Sequence, residues 1–298
     1  MDGVYVIITA AKNEEDYIEK TIQSVISQNI LPKKWIIVSD GSTDGTDEIV
    51  KKYMAKYDFI HFIRLENSNP RNFGSQALAQ IRGIEQLKGI DYEYIGMLDA
   101  DISFGKEYYE DVLSEFQEDP KLGIGGGVLF VILNGKHKKC MSSQWHVTGG
   151  IQLFRKQCYE DIGGLIPLEK GGFDSIAVIM ARMKGWKVKK IKNIRVFHNR
   201  PEWSAKGNII GARFRQGILD FSLGYHPIYS IFKFIYRIKE KPFLLSSLLR
   251  ISGYFFALIK GESSDLPVEV IEYLRKEQMQ RIKKIVFRMK RSTLYNLK

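Results

Sequence analysis

At 298 residues with 44% apolar content, the chain is long enough to bury a substantial core, which excludes a mostly disordered protein. Two cysteines, Cys140 and Cys158, are too few for a disulfide framework and lack CxxC or Cys/His spacing; they read as reduced thiols in a cytosolic protein. The net charge of +11 is unevenly placed: residues 201 to 298 hold 18 Lys and Arg against 8 Asp and Glu, so a basic end is left to meet nucleic acid, an anionic membrane surface or an acidic substrate.

The opening "MDGVYVIITAAKNEE" is unlike a signal peptide, having an acid at position 2 and only a short apolar run. Within it "VYVIIT" (Val4 to Thr9) reads as a buried strand, and Asn13 is placed to cap a helix whose apolar positions Ile18, Ile22, Val25 and Ile26 keep the helical period. "KWIIVSD" (Lys34 to Asp40) is the next strand, "GSTDGTDEIVKKYMAKY" a turn and a capped helix, and "FIHFIR" (Phe59 to Arg64) a third strand. A helix over about Asn72 to Leu87 precedes a short apolar strand, Tyr94 to Leu98. Strands separated by helices of this length imply parallel βαβ units, whose ligands bind beyond the carboxyl ends of the strands. "SDGSTDG" and "DAD" both fall at such ends.

From Gly123 the pattern changes. "GIGGGVLFVIL" is glycine-rich and then strand-like, "NGKHKKCMSSQWHVTGG" is polar, and "IQLFRKQCYEDIGG" reads as a strand and a short helix. "SIAVIMARMKG" is a buried helix and "IRVFHNR" a strand ending in His198. "PFLLSSLLRISGYFFALIKG" (Pro242 to Gly261) is strongly apolar but carries Arg250, which favours an interfacial or core helix over a bilayer span. "VEVIEYLRKEQMQRIKKIVFRMKR" places Ile271, Leu274, Ile282, Ile285 and Met289 on one face with basic residues around it. Such a helix either packs on its domain or lies on a membrane surface.

Asp99 and Asp101 stand one small residue apart at the end of an apolar strand. Desolvated carboxylates are costly unless paired, hydrogen-bonded or bound to a cation. Mg²⁺ or Mn²⁺ takes hard oxygen ligands and is typically held by one or two carboxylates plus substrate phosphates. Strand alternation puts the two side chains on one side, so one can reach a metal and the other a neighbouring hydroxyl. A turn or capping pair of aspartates is the other reading.

Four blocks, "KNEE" after the first strand, "VSDGSTDGT", "LDAD" and "GGFDSIAVIMARMKGWKV", together resemble the family 2 glycosyltransferases of the GT-A fold over roughly Val4 to His198. The resemblance implies an α/β fold with a Rossmann-like, mostly parallel mixed sheet flanked by helices, and the charge and helical periodicity beyond it add a helical basic extension. It divides the chain into a catalytic domain, 1–200, with a nucleotide-binding half at 1–120 and an acceptor half at 121–200, and a C-terminal region, 201–298.

The same resemblance implies roles for single residues. Backbone at Ala10 and Ala11 would hold the nucleotide base, Asp40 would accept a hydrogen bond from it, and Arg71 would face the base or diphosphate. Asp99 would contact the ribose, Asp101 would bind Mg²⁺ or Mn²⁺, and His198 would complete the metal site or be structural. Asp174 matches the catalytic base, although its place at a helix start also suits an N-cap. Arg213 and Arg215 can reach diphosphate or acceptor or be solvated, and "HVTGG" (His146 to Gly150) can be an acceptor-side loop or a simple turn.

Three positions depart from the family pattern: Lys12 where an aromatic often stacks on the base, Ser39 for the first of two aspartates, and Phe173 for the acid before the base. No Q-x-x-R-W motif follows His198, which favours addition of a single sugar. The expected function is inverting, metal-dependent sugar transfer from a nucleoside diphosphate to a hydroxyl on a glycan or lipid-linked acceptor. The protein would work in the cytoplasm or at the cytoplasmic membrane face, and nucleic acid is not an expected partner. A sugar-phosphate nucleotidylyltransferase would carry a G-x-G-x-R loop after the first strand, and "TAAKNEED" has none; a non-catalytic basic binding module would have no need of the three aspartates.

Overall fold

Each apolar run of the first third ends in a turn and is followed by a helix able to cover a sheet, and this sets the architecture. A computed structural model describes residues 3–66, 73–133, 135–140, 145–201, 209–238 and 244–295. Strands β1 (Tyr5–Ala11), β2 (Lys34–Ser39), β3 (Ile60–Arg64) and β4 (Tyr94–Leu98) alternate with helices α1 (Ile18–Ile26), α2 (Thr46–Met54) and α3 (Phe73–Glu85). There follow β5 (Ile102–Phe104), α4 (Tyr108–Glu118), β6 (Leu122–Leu133), β7 (Lys136–Lys139), β8 (Ile151–Arg155), α5 (Lys156–Asp161), α6 (Phe173–Met183) and β9 (Lys187–Pro201).

The strands among the described residues form one sheet in the order β3-β2-β1-β4-β8-β6-β9-β5, with β7 paired to β6 off that path. β2 is parallel to β1 and β3, and β1 to β4; β8 is antiparallel to both β4 and β6; β9 runs parallel to β6 and antiparallel to β5. The core holds Trp35, Tyr5, Phe116 and Phe154 together with the isoleucines of β1 and β2. Burying each such side chain favours folding by about 1.5 to 3 kcal/mol. Trp35 keeps its one donor satisfied in the interior, since Nε1 donates to Thr9 Oγ1 at 3.0 Å.

The glycine-rich segment is strand throughout, and the glycines are there for space. A Cβ on Gly126 would lie 2.4 Å from the Ile151 carbonyl oxygen, and one on Gly125 would lie 2.7 Å from the Phe116 ring. Asn13 does not cap α1, whose N-cap is Tyr17 without a side-chain bond. Instead Asn13 takes φ 57°, a conformation Asn tolerates better than most residues, and its Oδ1 accepts from Thr43 N at 2.8 Å. That bond ties the loop after β1 to the loop after β2. Strands β5 and β7 and helix α4 go unread in the sequence.

The chain divides into two units, Met1–Ala205 and Lys206–Lys298. The second contains α7 (Ile209–Ser222), α8 (Pro227–Tyr236), α9 (Leu245–Ile259) and α10 (Val268–Tyr295). Helices α7 and α9 meet backbone to backbone: a Cβ on Gly217 would fall 2.0 Å from the Arg250 carbonyl oxygen, and one on Gly253 would fall 2.1 Å from that of Phe214. Helix α10 buries Val270, Leu274, Gln278 and Ile282, while Ile285 is exposed and the Met289 side chain lies outside the described residues. The expected face is therefore shifted, because the first half of α10 packs on its own unit, where Arg275 Nε donates to Gly224 O at 2.9 Å and His226 N donates to Gln278 Oε1 at 2.9 Å. No helix among the described residues is long and apolar enough to cross a membrane.

Candidate active site

Strand pairing assembles the site from segments far apart in sequence. β4 ends at Leu98, Asp99 follows, and the chain turns through Ala100 and Asp101 into β5. Thr21 Oγ1 of α1 donates to Ala100 O at 2.7 Å and fixes that turn. β5 then pairs with β9 in a register that sets Ile102 opposite His198, and Asn199 N donates to Asp101 O at 2.8 Å. This register brings His198 to Asp101.

His198 Nε2 lies 3.3 Å from Asp101 Oδ2, and Nδ1 lies 2.8 Å from the carbonyl oxygen of Arg200. A carbonyl only accepts, so Nδ1 carries the proton and a neutral ring turns the Nε2 lone pair toward Asp101. Alternation along β9 puts Arg200 on the same side as His198. Its Nε donates to the same Asp101 oxygen at 3.1 Å, its Nη2 is bonded to Glu14, and the guanidinium lies over the Tyr17 ring at 4.8 Å. Glu14 is held by its own backbone, whose N donates to Thr46 Oγ1 at 2.7 Å.

Asp99 and Asp174 rest against consecutive glycines of the "HVTGG" segment. A Cβ on Gly150 would lie 2.2 Å from Asp99 Oδ2, and one on Gly149 would lie 2.7 Å from Asp174 Cβ and 3.0 Å from its Oδ2. The two glycines thus make room for carboxylates of the protein itself. Gln76 Nε2 of α3 donates to Asp99 Oδ1 at 2.9 Å, and the Asp99 N donates to Gly150 O at 3.1 Å. Burial, and then the charges of Asp101, Asp174 and Glu14, push the Asp99 carboxyl well above the ordinary carboxylate range, against the Gln76 hydrogen bond that lowers it. Asp174 stands in the first turn of α6, where the N-cap is Gly172 and no side chain makes the capping bond. Its charge in that first turn also suits the positive end of the helix.

On the nucleotide side, Ala10 and Ala11 pair with Val38 and Ser39, and Asp40 N donates to Ala11 O at 2.8 Å. Lys12 Nζ reaches Asp40 Oδ2 at 3.3 Å, so Lys12 acts as a charge partner at the position of the missing aromatic. Beside them a cavity of about 420 Å³ is lined by Asp40, Arg64, Glu66, Ser75 and Arg82. Arg71 lies outside the described residues. Arg213 sits on α7 in the second unit and donates to Gln216 Oε1 at 3.1 Å; Arg215 on the same helix is exposed. A separate cavity of about 410 Å³, lined by Trp145, Glu115 and Lys189, holds none of the site's carboxylates.

Among the described residues no three His, Cys, Asp or Glu side chains converge on one point as a closed metal cage. Asp101 and His198 offer two acceptor atoms facing each other. Adjacent ligands of an octahedral ion with bonds near 2.1 Å are separated by roughly 3 Å, so the 3.3 Å gap suits a shared cation. A site with two protein ligands fits ions that take their remaining ligands from substrate phosphates and water. Glu14, Gln76 and Arg200 were not singled out by sequence; for Arg200, its spacing of two from His198 on a strand is the available signal.

Comparison with known proteins identifies the family and the fold. The profile of the family described as "Glycosyl transferase family 2" matches residues 6–173. A poly-beta-1,6-N-acetyl-D-glucosamine synthase of Staphylococcus aureus (strain MSSA476) is 32% identical over 123 residues, 41% of this chain and 27% of that protein. The chain therefore matches only about a quarter of that relative's length. Among solved structures, the mannosyltransferase PcManGT from Pyrobaculum calidifontis, in complex with GDP-Man and Mn²⁺, superposes with a TM-score of 0.56 at 15% identity, over 92% of this chain and 79% of that one. S. aureus TarS 1-349 in complex with UDP-GlcNAc gives 0.53 at 14% identity, over 91% and 78%. Likeness at these identities establishes a shared fold, the GT-A fold.

Proposed function

Because the chain belongs to glycosyl transferase family 2 and is a glycosyltransferase by that membership, we propose that it moves a sugar from a nucleoside diphosphate to an acceptor hydroxyl with inversion at the anomeric carbon. The observation that carries this reading is the convergence of carboxylates from two distant segments, Asp99 and Asp101 in the turn after β4 and Asp174 at the start of α6. Asp99 and Asp174 are backed by the consecutive glycines Gly150 and Gly149, and the charges of Asp101 and Asp174 raise the proton affinity of Asp99. Structural neighbours crystallised with GDP-Man and Mn²⁺ or with UDP-GlcNAc support a donor and a divalent ion of these classes.

In this reading residues 1–120 hold the nucleotide, with the Ala10 and Ala11 backbone, Asp40 and Arg71 around the base. Asp99 accepts from a ribose hydroxyl, and Asp101 and His198 hold Mg²⁺ or Mn²⁺. A divalent ion bound there supplies positive charge where the departing diphosphate becomes more negative. Arg200 stands beside that position and can turn from Glu14 and Asp101 toward a phosphate. Asp174 takes the proton of the attacking hydroxyl, which requires an unshared carboxylate opposite the leaving group. Residues 121–200 supply the acceptor side.

The absence of a Q-x-x-R-W motif after His198 supports a single addition. The basic region 201–298 supports work on a glycan or lipid-linked acceptor at the cytoplasmic face of an anionic membrane, as a peripheral protein.

A thermal-shift screen of nucleoside diphosphates and their sugars, with and without Mn²⁺, tests the donor. Binding at 100 times Kd adds about 2.7 kcal/mol of apparent stability. Stabilisation that needs nucleotide and metal together is expected; no stabilisation by any pair would sink the reading.

A further inference from the structure

Helices α8 and α9 bury apolar residues on one side, Phe234 of α8 and Tyr254 and Ala257 of α9, and carry a second apolar face outward. An amphipathic helix of a water-soluble domain buries its apolar stripe and exposes its charges. In α8, Ile228, Ile231, Phe232 and Ile235 share one face at helical spacing, and all four are exposed, Ile235 to 60% and the adjacent Tyr236 to 77%. The charged residue of the helix points inward, where Lys233 Nζ bonds both oxygens of Asp220, at 2.7 and 2.9 Å, and lies 4.6 Å from the Tyr225 ring centre. Helix α9 repeats the pattern. It buries Ser246, Ser247 and Arg250, the last only 2% exposed, alongside Gly253, Tyr254 and Ala257, and leaves Leu245, Leu248, Phe256 and Ile259 facing out.

We infer that the outward apolar faces of α8 and α9 insert into the headgroup boundary of an anionic lipid bilayer and are the element that seats this protein on it. This deepens the membrane part of the proposed function and rests on it. Ten residues of α8 and fifteen of α9 are too short to cross, which leaves a helix lying in the interface plane with its apolar side down. Charge selects the bilayer over a second copy of the chain. The region 201–298 has 18 basic against 8 acidic residues, so two such surfaces repel whereas anionic headgroups attract. Tyr236, an amphipathic aromatic at the end of the stripe, suits the headgroup level. The inference assigns seating to α8 and α9 in place of the basic helix α10, whose first half is packed on its own unit.

The test uses the full chain and vesicles of phosphatidylcholine with phosphatidylglycerol. Flotation of the unsubstituted protein is compared with an Ile231→Glu, Phe232→Glu, Ile235→Glu triple variant and with a Lys283→Glu, Lys284→Glu variant on α10. The triple variant is expected to lose at least about tenfold in vesicle partitioning with unchanged stabilisation by nucleotide and Mn²⁺, and the α10 variant to lose much less. A single Phe232→Trp variant guards against misfolding of the triple; its added fluorescence is expected to be quenched by lipids brominated in the acyl chain. Binding that survives the triple substitution, or an unquenched indole in the bound Phe232→Trp variant, overturns the assignment while leaving membrane attachment intact. No binding of the unsubstituted protein overturns both. Conversion of a dimer to a monomer by the triple variant, with vesicle binding unaltered, would instead identify the face as an interface between copies and overturn the inference.

Discussion

His198 Nε2 faces Asp101 Oδ2 across 3.3 Å, with Nδ1 committed to the Arg200 carbonyl. Two acceptors in that relation call for a shared proton or cation. Removing either one is expected to weaken Mn²⁺ binding to the nucleotide-saturated protein by at least about tenfold, by analogy with losses of 10- to 100-fold when metal-site partners are removed. Calorimetric titration of His198→Ala and Asp101→Asn checks this, and unchanged affinity in both would place the ion elsewhere.

Asp174 stands in the first turn of α6 but is not its N-cap, which is Gly172, and its carboxylate stands beside Gly149. The Asp174→Asn variant keeps the shape and removes the base. Turnover is expected to fall by about 10² to 10⁴, while donor binding, read by thermal shift, stays close to that of the unsubstituted protein. A parallel loss of donor binding would reassign Asp174 to the nucleotide.

Asp99 holds its proton in the folded chain at pH values where an unfolded Asp, with pKa near 3.9, has lost it. The folded state then binds more protons than the unfolded one, so the contribution of Asp99 to stability falls as pH rises from about 4 through its raised value. In metal-free protein Asp99→Asn is therefore expected to raise Tm at about pH 8, with the gap closing toward about pH 4. Thermal unfolding of both proteins across that range measures it; a gap that widens toward low pH contradicts the sign.

Consecutive glycines give the two carboxylates their places. Gly150→Ala pushes a methyl to within 2.2 Å of Asp99 Oδ2, and Gly149→Ala pushes one to 2.7 Å from Asp174 Cβ. Each is expected to cost about 1 to 3 kcal/mol of stability and to separate by function: Gly150→Ala weakens donor binding, whereas Gly149→Ala lowers turnover at saturating donor. Denaturant unfolding and steady-state kinetics distinguish the two.

How much of this was legible depends on distance along the chain. The runs that become β1 to β3 are each bounded by turn residues and followed by a helical period that leads to the next strand, so the parallel order of β1 to β4 can be read locally. Asp99, Asp101 and Asp174 carry recognisable neighbours on either side. Gln76 and Glu14 carry none that mark a partner, because their roles appear only once α3 covers the sheet and β9 returns beside β5, as in the Ser103 to Asn199 bond across 96 residues. The glycines before Ile151 look like an opening for substrate, and only their clash distances reveal that protein atoms fill it. Helix α9 shows its apolar content in sequence and α8 goes unread there, and which way their apolar residues face is seen only with the Lys233 to Asp220 pair and the Gly217 and Gly253 contact, both tertiary.

The bond from Arg200 to Glu14 joins residues 186 positions apart. A ribosome adding about 5 to 20 residues per second takes on the order of 10 to 40 s to cover that span. The carboxylate of Glu14 is thus synthesised that long before the guanidinium that offsets its charge in the finished fold.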